Sequence, residues 1–88
     1  MPAIDNYALP KVTLPPLEKA GRFYARSASD RTEDWPFWFV ADSNKGGLNV
    51  TGPLFEKLTG ERAHGAVFAP RDEAKLIAAH ANQAAADG

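Results

Sequence analysis

The sequence predicts a small two-layer α+β domain, in which an antiparallel sheet of three to four strands packs against a C-terminal helix. Residues 22–28, which place Phe23, Ala25 and Ser27 on one side and Tyr24, Arg26 and Ala28 on the other, read as a strand. Residues 37–41 are rich in aromatic and β-branched residues, which are typical of strands. Ala74, Ile77, Ala78 and Ala81 recur at the i, i+3, i+4, i+7 spacing of one helix face. Strands joined by short turns and followed by one amphipathic helix indicate an α+β fold rather than a parallel sheet.

Residues 1–20 differ in composition from residues 21–88 and read as an extended, proline-rich N-terminal arm. Four of the seven prolines lie in this stretch, at Pro2, Pro10, Pro15 and Pro16. Each proline fixes φ and removes a backbone donor, so a helix is disfavoured before residue 16. We therefore expect an arm at 1–20 and one domain at 21–88, with the arm docked on that domain or on a partner.

The elements between the second strand and the last helix are marked by turn residues. Gly46 and Gly47 follow a polar stretch and predict a hairpin turn into a short strand at residues 48–50. Pro53 predicts the first turn of a short helix that ends at Gly60, because proline is favoured at the first helical position. Residues 66–69 predict a short fourth strand before the helix that follows Pro70.

Composition excludes several classes of protein. Eighty-eight residues form one small domain at most, and the chain contains no cysteine, so a disulfide scaffold is impossible. The formal net charge of −1 disfavours a strongly basic nucleic-acid binder. No apolar run is long enough to cross a bilayer, and no secretory signal pattern is present, so we expect a cytoplasmic protein.

The motifs of catalysis and of cofactor binding are missing from the sequence. There is no G-x-S-x-G elbow, no H-E-x-x-H pair and no phosphate-binding loop. A calcium loop beginning at Asp42 would need a glutamate at its twelfth position, where Pro53 stands. We expect neither enzymatic activity nor a bound metal or cofactor.

Aromatic and charged residues around the first two strands suggest a binding surface instead. Tyr24, Arg26 and Trp38 are expected on one sheet face, with Phe23, Phe37 and Phe39 forming the core on the other. Both faces carry aromatic residues, so the sequence leaves open which of them is buried. Trp, Tyr and Arg are enriched at interface hot spots. The expected partner-binding residues are Tyr24, Arg26, Trp35 and Trp38, with an acidic rim of Asp30, Glu33, Asp34 and Asp42.

Two segments resemble parts of small bacterial, phage and prophage proteins, a group that includes anti-CRISPR inhibitors. These are the strand and turn at residues 38–47, and the strand at 66–69 that leads through Pro70 into an acidic helix start. The resemblance covers about half the chain and follows mostly from the physics of helix starts. It implies an inhibitor that acts on a host nucleic-acid-binding complex.

The expected function is therefore that of a non-enzymatic protein-binding module, an anti-CRISPR-like inhibitor from a phage or mobile element. One alternative is a small domain that binds single-stranded nucleic acid through aromatic residues on the sheet. Another is a homodimeric assembly component joined through an exposed edge strand.

Overall fold

The computed structural model describes residues 14–28, 37–63 and 66–87 of the chain. Three strands are followed by two helices: β1 (Phe23–Ser27), β2 (Trp38–Asp42), β3 (Leu48–Asn49), α1 (Thr51–Thr59) and α2 (Arg71–Asp87). The predicted α+β class, with a three-stranded antiparallel sheet and a C-terminal helix, is confirmed. Within the described ranges, no helix is long and apolar enough to cross a membrane.

The sheet has the order β1-β2-β3, with both pairs of strands antiparallel. In the first pair, Phe23 lies opposite Asp42 and Ser27 lies opposite Trp38. A 3-10 turn at Ser43–Lys45 then connects β2 to β3. Gly46 and Gly47 follow it with φ values of 68° and 85°, a left-handed conformation that glycine adopts without steric cost.

The predicted fourth strand at 66–69 is reduced to a single bridge. Trp38 and Ala69 exchange both of their backbone hydrogen bonds, at 2.9 and 2.8 Å. Further along the same edge of β2, the Val40 carbonyl accepts from the Val50 N–H, and the Val40 N–H donates to the Thr51 hydroxyl at 2.8 Å. The start of α1 thus occupies the stretch of edge between the bridge and β3, which leaves no room for a longer fourth strand.

One hydrophobic core lies between the sheet and the two helices. Trp38 and Val40 from β2, Phe55 from α1 and Ile77 from α2 are buried together in it. The remaining buried members are small residues: Ala63, Ala66, Ala69, Ala74 and Ala78. Alanine on the facing surfaces lets α2 lie close to the strands, so a chain of this size closes its core with few large side chains.

The described part of the arm, residues 14–20, forms neither helix nor strand and docks on its own domain. The Pro15 carbonyl lies 2.7 Å from His80 Nε2, and the Lys19 carbonyl accepts from the Asn82 side-chain amide at 2.8 Å. Leu14 packs against the core. Since proline carbonyls can only accept, His80 must donate through Nε2 in this contact.

Candidate protein-binding surface

The register of β1 and β2 determines which side chains share a face of the sheet. Residues directly opposite one another in an antiparallel pair point to the same side. Ala25 lies opposite Val40 and Ser27 opposite Trp38, whereas Tyr24 lies opposite Ala41 and Arg26 opposite Phe39. The sheet therefore has one face that contains Trp38 and Val40, and another that contains Tyr24, Arg26 and Phe39.

The first of these faces is covered by helices. Trp38 is only 8% exposed and Val40 is fully buried, and both belong to the core formed with α1 and α2. The expectation that Trp38 shares a face with Tyr24 and Arg26 is wrong, because the register places it on the opposite side. Trp38 is a core residue, and its large ring fills the layer between sheet and helices.

The second face is termed the open face here, and its exposed and partly exposed residues are Tyr24, Arg26, Phe37, Phe39 and Phe68. It also contains Ala41, which is fully buried. Both described helices pack on the other side of the sheet. Tyr24 is 40% exposed, Arg26 is exposed, and the three phenylalanines are partly exposed. The expectation that Phe37 and Phe39 belong to the core is thus wrong, whereas Phe23 does pack against the core.

Phe68 joins the open face through the bridge between Trp38 and Ala69. The residue before Ala69 points away from the helices, because side chains alternate along an extended segment. Its ring lies 5.8 Å from that of Phe37, centroid to centroid, with the two planes tilted by 53°. This geometry is typical of favourable aromatic pairs. Sequence reasoning missed Phe68, and the only signal was that it alternates with Ala69.

Asp42 lies inside the molecule rather than on an exposed rim. It is 1% exposed, and both of its carboxylate oxygens accept from Arg22, Nε and Nη2 each at 2.7 Å. Oδ1 also accepts from the Asn44 N–H at 3.0 Å, which caps the 3-10 turn. These hydrogen bonds, above all those from Arg22, hold the pKa of Asp42 below its usual range despite burial.

The remaining expected site residues, Asp30, Glu33, Asp34 and Trp35, lie outside the described residues. Of the set chosen from sequence, the structure therefore brings together Tyr24 and Arg26, and adds three phenylalanines to them. In the described ranges, no three histidine or carboxylate side chains are placed to hold a metal ion.

The open face offers a partner apolar contact through its aromatic rings and one positively charged group, the guanidinium of Arg26. Aromatic rings bury large areas, and Tyr and Arg add polar groups that fix the orientation of a partner.

Comparison of the chain with models of protein families, with curated proteins and with solved structures gives no match.

Proposed function

We propose that this chain is a non-enzymatic protein-binding module that docks on its partner through the open face. The observation that carries the proposal is the distribution of aromatic residues. Tyr24, Phe37, Phe39 and Phe68 lie on the side of the sheet opposite both described helices. A cluster of apolar side chains that keeps part of its surface in solvent is typical of an interaction site.

The finer form of the proposal is an anti-CRISPR-like inhibitor of phage or mobile-element origin, acting in the cytoplasm on a host nucleic-acid-binding complex. It is supported by the acidic residues Asp30, Glu33 and Asp34, which stand between β1 and β2 in the sequence. Carboxylates complement the Lys and Arg of a nucleic-acid-binding surface. Asp42 does not contribute to this complementarity, since its charge is paired with Arg22.

The test is quantitative affinity capture from a lysate of the native host, with wild-type protein and three variants in parallel. Phe39→Ala and Tyr24→Ala each remove an aromatic group from the open face. Leu48→Ala is the matched control, because Leu48 is a 54% exposed apolar residue on β3 that lies outside the open face. A partner that the control retains, and that both open-face variants bind at least about tenfold more weakly, supports the proposal. Equal capture by all four proteins contradicts it.

The alternative function is binding of single-stranded nucleic acid by the same face. The observation in its favour is the combination of several partly exposed rings with the exposed Arg26, since bases stack on aromatic rings and on guanidinium groups. Fluorescence anisotropy with labelled oligonucleotides at low salt separates the two functions. Binding that Phe39→Ala removes favours the alternative, and no binding at about 50 μM protein excludes it.

A further inference from the structure

Among the described residues, a side chain blocks the outer edge of β1 at one position and none blocks it at another. The Ser43 N–H donates to the Arg22 carbonyl, and the Ala28 N–H donates to the Phe37 carbonyl. In an antiparallel pair, residues bonded to the neighbouring strand alternate with residues whose N–H and C=O point away. Phe23 and Ala25 are therefore residues of β1 whose backbone groups point away from β2.

Asn82 of α2 occupies the edge at Phe23. Its side-chain oxygen accepts from the Phe23 N–H at 2.8 Å, and its side-chain nitrogen donates to the Phe23 carbonyl at 2.9 Å. The amide of this buried side chain thus makes the two hydrogen bonds that an added strand would make. In the described part of the chain, no group takes the same place at Ala25, two residues further along the edge.

The N–H and C=O of Ala25 face a groove between β1, α2 and the described arm. The groove has a volume of about 720 Å³. Its floor and walls are largely apolar and include Leu14, Leu17, Phe23, Ala25, Leu76 and Ala79. A strand paired with Ala25 would direct the side chain opposite Ala25 to the helix-covered side of the sheet, where this apolar lining continues the core.

Charge distinguishes one end of the groove from the rest. The first turn of α2 contributes Asp72 and Glu73, and the arm contributes Glu18, against two lysines, Lys19 and Lys75. Along α2, Asp72 precedes Ala79 by seven residues, or about 10 Å at the rise of a helix. An extended chain covers that distance in about three residues. Asp72 lies 3.6 Å from Arg71 but its side chain is 85% exposed, so it can take a second cation, and this end of the groove favours a basic residue about three positions from the apolar one.

We propose that this groove binds an extended segment of a partner protein as an added β-strand on the outer edge of β1. The segment exchanges two backbone hydrogen bonds with Ala25, places an apolar side chain over α2, and places a Lys or Arg beside Asp72. This surface is separate from the open face, so the proposal goes beyond the function proposed above. A second copy of the chain fits less well, since its own residues 14–20 would compete for the space beside β1.

The experiment uses the full chain, labelled with ¹⁵N, and a synthetic peptide probe. The probe is acetylated and contains two lysines followed by alternating valine and threonine. In titration to about 1 mM probe, we expect the Ala25 amide to shift and its hydrogen exchange to slow by at least about tenfold. A series of probes methylated at single backbone nitrogens then tests the register. Binding should fall only for methylation at the position that pairs with Ala25.

Two protein variants locate the site independently. Ala25→Pro removes only a donor that points away from β2, so the hydrogen bonds between β1 and β2 are kept while probe binding is lost. Asp72→Lys should weaken binding by several-fold, whereas Glu61→Lys, an exposed charge reversal outside the groove, should not. Because the methylated probes act on the wild-type protein, the test stands even where Ala25→Pro does not fold.

Three results would overturn the proposal: an unchanged Ala25 amide at about 1 mM probe, equal weakening by methylation at every position, or a dimer that the probe dissociates. The last result would assign the edge to a second copy. Phe39→Ala should bind the probe as the wild type does, so a failure of the groove and a failure of the open face can be told apart.

Discussion

The two faces of the sheet differ in what their aromatic residues do, although both are built from the same two strands. On the helix-covered face, Trp38 is buried with Val40, Phe55 and Ile77 and holds the two layers together. On the open face, Phe37, Phe39 and Phe68 keep part of their surface in solvent and Tyr24 keeps 40%. Aromatic content alone therefore does not distinguish core residues from partly exposed ones, whereas the elements that cover each face do.

The largest expected effect comes from truncating a ring on the covered side. Phe55→Ala should lower the free energy of unfolding by about 3–5 kcal/mol, because it removes a buried ring and leaves a cavity. Phe39→Ala, the same change at a partly buried ring on the open face, should cost less, about 1–2 kcal/mol. Urea unfolding followed by tryptophan fluorescence measures both. Equal losses would mean that the open face is as tightly packed as the core.

An intermediate effect is expected where α1 meets the edge of β2. Thr51→Val keeps the shape of a buried side chain but removes the acceptor of the Val40 N–H, so it should cost about 1–3 kcal/mol. The matched control is Thr59→Val in the last turn of α1. Its hydroxyl donates to the Phe55 carbonyl and accepts from the Glu61 N–H. Because the Glu61 N–H is exposed, water can replace that acceptor, and the expected loss is about 0.5 kcal/mol. Chemical denaturation of both variants checks the difference, and an equal loss would contradict it.

Acid should destabilise the covered side through Asp42. Its pKa is lowered in the folded state, mainly by the hydrogen bonds from Arg22, so it binds protons more weakly when folded than when unfolded. The stability it contributes is present above the unfolded pKa of about 3.9 and is lost as the pH falls through the lower folded pKa. Urea midpoints measured from neutral pH downwards should fall more steeply for the wild type than for Asp42→Asn. Parallel profiles would show that the ion pair makes no contribution to folding.

The smallest effect on stability is expected on the open face itself. Tyr24→Ala should change the free energy of unfolding by about 0.5 kcal/mol or less, because much of this ring is in solvent. The same variant should weaken partner capture, so its effects on stability and on binding should separate. Thermal unfolding alongside the capture experiment tests this, and a large loss of stability would show that Tyr24 is a packing residue.

The local elements could be predicted because each has a signal within a few residues. The side-chain pattern of residues 22–28 indicated β1, and the aromatic and β-branched run at 37–41 indicated β2. Gly46 and Gly47 indicated the hairpin, and the spacing of Ala74, Ile77 and Ala78 indicated the buried side of α2. The two helices follow the three strands in the predicted order, although α1 begins at Thr51 and not at Pro53 as expected. Such signals depend on φ preferences and side-chain periods, which neighbouring residues set.

The candidate surface could be predicted only in part, because it depends on how two strands pair. A shift of the β1–β2 register by one residue would place Tyr24 beside Trp38 on the same face, as the sequence analysis expected. Nothing local determines that register, since ten residues, 28–37, separate the two strands. The pairing of Arg22 with Asp42, twenty positions apart, escaped prediction for the same reason.

The amino-acid sequence by itself determined the α+β class, the hairpin turn and the alternation of side chains along each strand, because these follow from backbone preferences and local periods. Only the tertiary structure decided which aromatic residues are buried and that Asp42 is internal. It also decided that Asn82 closes the edge of β1 at Phe23, whereas no described residue does so at Ala25. Those outcomes depend on contacts between residues far apart in the chain, because several strands and helices together determine which side chains are packed and which groups are hydrogen-bonded.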